Sequence, residues 1–192
     1  MKKYIKYKNW YSKTRYILIK KYGKDYKLFS SLLAVTSPRF QIKRNYQTSL
    51  NIFDDYMKDK EKLLQYALKN KKRFMKKYKI LPCHYNNLIR VFKHNFKSRK
   101  PLILSGLKVN SFYNNLTGHN EYVTLDIWMM KYFNFKKDWL NKSDYIYYTR
   151  IIRKLAQKEN MNPCQLQAVL WHKQRGKENI QPKNFYMYTN IN

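Results

Sequence analysis

The sequence predicts an all-α chain, and three observations carry that expectation. Apolar residues recur at three- and four-residue spacing along most of the 192 residues, with no convincing period-two alternation. The chain has only 4 Gly and 5 Pro, and they border helix-sized blocks: Gly23, Pro38, Pro82, Pro101, Gly106, Gly118, Pro163, Gly176 and Pro182. A composition of 44% apolar and 17% aromatic residues supplies a core despite the hydrophilic average. The length suits one domain, or two lobes sharing a core, so a single compact helical domain is expected over 1–183, followed by a loosely held tail, Asn184–Asn192. No internal repeat is visible.

Taken in order, a first helix is expected from Trp10 to Lys21, and the turn Tyr22-Gly23-Lys24-Asp25 leads to Tyr26–Val35, where Leu28, Phe29, Leu32 and Leu33 keep helical spacing. Thr36-Ser37-Pro38 breaks it. Arg39 to Met57 carries Ile42, Tyr46, Ser49, Leu50 and Phe53 on one side, and Asp59–Lys69 presents Leu63, Leu64, Ala67 and Leu68. Cys83 to Phe96, with Leu88, Ile89 and Phe92 inward, ends in the cationic run Lys97, Arg99, Lys100 before Pro101. Gly106 can take a positive φ ahead of a helix from Lys108 to Leu116. The turn Thr117-Gly118-His119-Asn120 precedes an extended Tyr122–Leu125, with Asp126 placed to cap Ile127–Phe133. Asp144–Glu159 buries Ile151, Ile152 and Leu155, and Pro163–Arg175 buries Leu166, Val169 and Leu170. That last helix is well signalled: Asn162 is a good N-cap, Pro163 suits the first helical position, and Gln165 stands where a capping box needs it.

Charge narrows the function. Lys and Arg number 41 against 11 Asp and Glu, a formal net charge of +30, which points to a polyanionic partner bound through phosphate neutralisation and counterion release. Abundant Lys, Asn, Tyr and Ile fit an AT-rich coding sequence, which adds lysines without selecting for binding. It does not account for so few carboxylates.

Other classes find little support. No apolar run approaches the roughly 20 residues of a membrane span, and Tyr4, Trp10, Tyr11, Tyr16, Ile17, Leu18 and Ile19 make no continuous signal-peptide core. An intracellular protein without a membrane partner is expected, in the cytoplasm or nucleoid, or in the host cytoplasm if phage-encoded. Cys83 and Cys164 are far apart and are expected to be inert, and His84, His94, His119 and His172 lack metal-ligand spacing. No metal and no cofactor is expected. Trp128 and Trp171 are most simply core aromatics.

The stretch Leu104-Ser105-Gly106-Leu107-Lys108-Val109 is followed, eighteen residues after Lys108, by Asp126 in Val123-Thr124-Leu125-Asp126-Ile127-Trp128. With Phe112, Leu116 and Gly118 between them, these residues resemble the core of the helix-hairpin-helix DNA glycosylase superfamily, and the resemblance extends more weakly over residues 26 to 135. The ending Gln165-Leu166-Gln167-Ala168-Val169-Leu170-Trp171 is similar to small glycosylase-like proteins of bacteriophages. The resemblance implies a two-lobed helical fold with its helix-hairpin-helix at about 84–116, and excision of a damaged or modified base from a DNA duplex, the target base flipped out. Two departures stand out: Leu104 replaces the first hairpin glycine, and the C-terminal cysteine cluster of some members is absent.

By that resemblance Asp126 is the catalytic carboxylate, beside C1′ of the deoxyribose, where it stabilises the positive charge that develops or activates the nucleophile. Lys108 resembles the amine nucleophile, which forms a Schiff base and adds AP-lyase activity. Such an amine must be neutral, and the positive end of a helix, partial burial and nearby cations all disfavour the ammonium form. Lys97, Arg99, Lys100, Ser105 and Gly106 are the expected phosphate contacts; Arg39, Phe40 and Asn45 are the candidates for filling the gap left by a flipped base. The enzyme would act as a monomer. The alternatives are a phage enzyme that processes hypermodified bases, a non-catalytic basic DNA- or RNA-binding module, and a structural protein of a nucleoprotein assembly. In the non-catalytic readings Asp126 is only an N-cap and Lys108 a phosphate contact.

Overall fold

The computed structural model describes residues 2–137 and 139–178, and among these the secondary structure is helical, with no strand. The residues expected as one domain divide by contact into two compact units: residues 2–17 with 106–178, and residues 18–105. Gly176, Pro182 and the tail were expected as boundaries; Pro182 and Asn184–Asn192 lie outside the described residues.

In the 18–105 unit, α2 (Tyr26–Thr36) is the central element. Every residue from Leu28 to Thr36 is buried, so its apolar surface runs all round the helix and needs neighbours on several sides. These are α3 (Ile42–Lys58) and α6 (Pro82–Lys93), with α4 (Lys60–Lys69) packed on both of them. Asp59 caps α4 by accepting from Lys62 N at 2.9 Å. Helix α3 starts three residues later than the sequence suggested, because Arg39 takes φ +61° and Gln41 is extended. Phe40 N–H donates to Ser37 O at 3.3 Å, closing a turn over Pro38.

Helix α5 (Lys71–Tyr78) was not foreseen. Its sequence holds Lys71, Lys72, Arg73, Lys76 and Lys77, and only Phe74 and Tyr78 are buried, an i, i+4 pair too sparse to register as a periodic face. It stops at Lys79, which adopts the left-handed conformation at φ 51°. Helix α6 ends at Lys93, not Phe96, because Asn95 Oδ1 accepts from Lys97 N at 3.0 Å and folds the chain into a turn.

The other unit is built from α7 (Leu107–Thr117), α8 (Ile127–Tyr132), α9 (Lys142–Lys158) and α10 (Pro163–Lys177), joined by the N-terminal 3₁₀ turns Lys2–Tyr7 and the start of α1 (Trp10–Tyr22). Val123, Leu125, Met129, Tyr145, Ile152, Ala156, Leu166 and Leu170 form its core. The capping box of α10 is present: Asn162 N–H donates to the Gln165 Oε1 at 2.9 Å. Gly176, expected as a breaker, lies inside α10. A Cβ there would fall on the Tyr4 ring and hydroxyl, so its small size lets the N-terminal turn pack against the helix. Those N-terminal turns were not foreseen; Tyr7 anchors them by stacking on His172 with ring centroids 3.9 Å apart.

The helix pair of the expected hairpin, α6 and α7, falls one in each unit.

Candidate active site at the start of helix α8

Helix α7 and the segment after it make an out-and-back pair. Gly118 ends α7 at φ 105°, and the chain returns through 122–126. Asn115 pins the return: its amide donates to Tyr122 O at 3.1 Å and His119 O at 3.0 Å, and its oxygen accepts from the Thr124 hydroxyl at 3.0 Å. From α9, the Tyr145 hydroxyl holds the same segment, accepting from Leu125 N–H at 3.1 Å and donating to Val123 O at 2.7 Å. Burial pushes the Tyr145 phenol up to about 12, so it stays a donor at every physiological pH. Lys108 stands in the first turn of α7, and Asp126 lies two residues beyond the pinned Thr124. Lys108, Ser111 and Asn115 follow the i, i+3, i+7 spacing of one helix face.

Asp126 is half-buried and holds three hydrogen bonds. Its Oδ1 accepts from the backbone N–H of Trp128 at 3.0 Å and Met129 at 3.2 Å, capping α8 as expected from the sequence. Its Oδ2 accepts from Trp171 Nε1 at 2.7 Å. Trp171 in turn lies 4.6 Å beneath the Arg175 guanidinium, which also stands 5.2 Å from the Trp128 ring. Lys131 Nζ sits 4.6 Å from Trp128 and pairs with Glu178 at 3.0 Å. Burial lowers the Arg175 guanidinium from its ordinary value, and the Asp126 charge acts in the opposite sense. The two tryptophans, expected as plain core aromatics, are thus half-buried indoles carrying cations beside the carboxylate. Their role was not visible in the sequence, where α10 lies 45 residues beyond Asp126.

The other predicted residues scatter. Gly106 takes φ 89° and stands at the N-cap of α7 with no side chain to offer. Lys108 is half-buried in the first turn of the same helix. Lys97, Arg99, Lys100 and Ser105 are exposed in the 18–105 unit, Ser105 held by Asn87 through paired bonds of 2.7 and 2.9 Å. Leu104, where the hairpin's first glycine would stand, is a core residue 3% exposed. Two of the gap-filling candidates need correction. Asn45 is 3% exposed and bonded to the Thr36 hydroxyl inside the core, so it cannot reach DNA. Phe40 is half-buried, edge-on to His84 at 4.9 Å and under the Arg44 guanidinium at 3.9 Å, which leaves it no free wedge. Arg39 is exposed.

Among the described residues no group of three or more His, Cys, Asp or Glu could hold a metal ion, and no helix is long and apolar enough to cross a membrane. Burial pushes the Cys164 thiol up to about 11, which keeps it protonated and unreactive. Residues 3–178 match the model of a family of unknown function (DUF7178), and the chain belongs to that family. No curated protein and no solved structure matches the chain.

Proposed function

We propose that this member of DUF7178 is a DNA glycosylase that removes a damaged or modified base, with Asp126 as the carboxylate at C1′ and Lys108 as the amine that adds lyase activity. The two compact units would be the two lobes of a helix-hairpin-helix glycosylase fold. The observation that supports the proposal is that Asn115 of α7, the helix whose first turn holds Lys108, fastens the segment that leads into Asp126. Hydrolysis breaks the C1′–N bond; the base leaves with the bonding pair and takes up a proton, while water adds its oxygen to C1′ and gives up a proton. A carboxylate beside C1′ stabilises the cationic sugar in between. The cations on Trp128 and Trp171 would hold the flanking phosphates.

A non-catalytic nucleic-acid-binding module is the second reading, and one observation favours it. Both oxygens of Asp126 are engaged, Oδ1 as the cap of α8 and Oδ2 on Trp171, as they would be in a carboxylate with only those two tasks. A panel of duplexes carrying modified bases, followed by heating in alkali, separates the two. Strand breaks at one base are expected; a chain that binds every duplex and releases no base is a binding module.

A further inference from the structure

A groove of about 450 Å³ opens between α3 and the end of α5. One wall is the stripe Gln41, Arg44, Gln47, Thr48 and Asn51, and the other is Lys77, Tyr78 and Lys79. We infer that this groove is a DNA-backbone binding surface, a site separate from the one around Asp126. The inference rests on the glycosylase reading only for the identity of the polymer.

Its chemistry selects a polyanion. Four cations line it, Lys43, Arg44, Lys77 and Lys79, together with three amides and no carboxylate. Small-molecule pockets carry few charged groups, whereas four of the nine residues that line this groove are cations. The nearby Asp55 is already engaged: it accepts from Lys77 Nζ and from the Tyr78 hydroxyl, each at 2.7 Å. The groove's positive field therefore comes chiefly from Lys43, Arg44 and Lys79. Helix α3 adds to it, because its first turn holds no acidic residue and its N-cap, Gln41, makes no side-chain capping bond.

Its shape and stiffness select an extended strand. Gln41 to Asn51 covers eleven residues, about 15 Å from the first to the last, room for a short run of nucleotides along one strand. Arg44 is held on two sides: its Nη2 donates to Lys79 O at 2.8 Å, and its guanidinium lies 3.9 Å from the Phe40 ring centre. A cation fixed in this way loses little freedom when a phosphate docks. Gln41, Gln47 and Asn51 can bond sugar oxygens and base edges with both donors and acceptors.

The test uses the full chain, fluorescent single-stranded and duplex DNA of one sequence, and anisotropy over a range of salt. Lys43→Glu with Lys79→Asn should weaken binding by about fivefold for each lost contact near 0.15 M salt, and should flatten the salt slope by about one per contact. Charge changes at Lys62 and Lys93, outside the groove, should do markedly less. Acetylation of the unmodified protein gives a readout independent of variant folding: bound DNA should protect Lys43 and Lys79 more than Lys62 and Lys93. Equal losses for the two pairs, or equal acetylation, would overturn the assignment. No base release by the parent protein with an intact footprint counts against the glycosylase reading alone, and base release without groove protection counts against the groove alone.

Discussion

The Trp171 indole N–H donates to Asp126 Oδ2 at 2.7 Å, joining α10 to the start of α8. This bond leaves Oδ1 to cap α8 and fixes how the carboxylate is turned. Trp171→Phe keeps most of the packing and removes the bond. It should cost about 1.5–3 kcal/mol in urea unfolding, the range for a lost hydrogen bond to a charged group. It should also slow base release while leaving DNA affinity intact, since the carboxylate would lose its orientation but not its charge. Slowed release with an equal loss of affinity would point to a general disturbance instead.

Much of the fold was legible in the sequence where local signals agree. Asn162, Pro163 and Gln165 announce α10, and Asp126 was placed correctly at the cap of α8. Helix α5 was not legible because five of its eight residues are cations and only Phe74 and Tyr78 face inward. The groove beside it was hidden for the same reason. The bond between Asp126 and Trp171 joins residues 45 apart, and nothing local distinguishes such a tryptophan from one in the core. Asn45 misled because a polar residue on a helix reads as exposed, whereas here Thr36 and Ser49 give it and its neighbours a buried polar network.

His172 makes stability sensitive to mild acid. It is 1% exposed, its Nδ1 has no hydrogen-bond partner among the described residues, and burial, aided by Arg175, lowers it to about 4. The folded pKa is depressed, so its contribution is complete above the unfolded value near 6.5 and is lost as pH falls toward 4. The slope approaches about 1.4 kcal/mol per pH unit inside that window. His172→Phe keeps the stack on Tyr7 and cannot take up a proton. Its melting temperature should equal or exceed that of the parent at pH 7.5, and should fall less between pH 6.5 and 4. An unchanged acid slope would remove His172 as its source.

Two glycines should respond to alanine for different reasons. Gly106 has open space around it, with Val109 Cγ2 4.0 Å from a built Cβ, but sits at φ 89°. Its cost is backbone strain, on the order of 1–3 kcal/mol. Gly176 has an ordinary helical backbone and no room, because Tyr4 occupies the site of the Cβ. Gly176→Ala should therefore destabilise the chain, and Tyr4→Ala should rescue it, whereas Gly106→Ala should gain nothing from Tyr4→Ala. Thermal melts of the four variants check this, and equal rescue of both would contradict it.

Lys108 decides between two chemistries. If its amine attacks C1′, borohydride should trap a covalent protein–DNA adduct that Lys108→Gln fails to form. The same variant should retain slow base release through Asp126 and water. Base release without trapping by the parent protein would leave Lys108 as a phosphate contact.

The most direct measurement is the single-turnover rate of base release by Asp126→Asn on the duplex the parent protein cleaves best. Asparagine caps a helix about as well as aspartate, so α8 should remain intact and only the charge is lost. The rate should fall by roughly a hundredfold or more, as when a group that stabilises developing charge is removed, with unfolding and DNA affinity little changed. An Asp126→Asn protein that releases base at the parental rate would contradict the account, as would a parent protein that releases no base from any duplex.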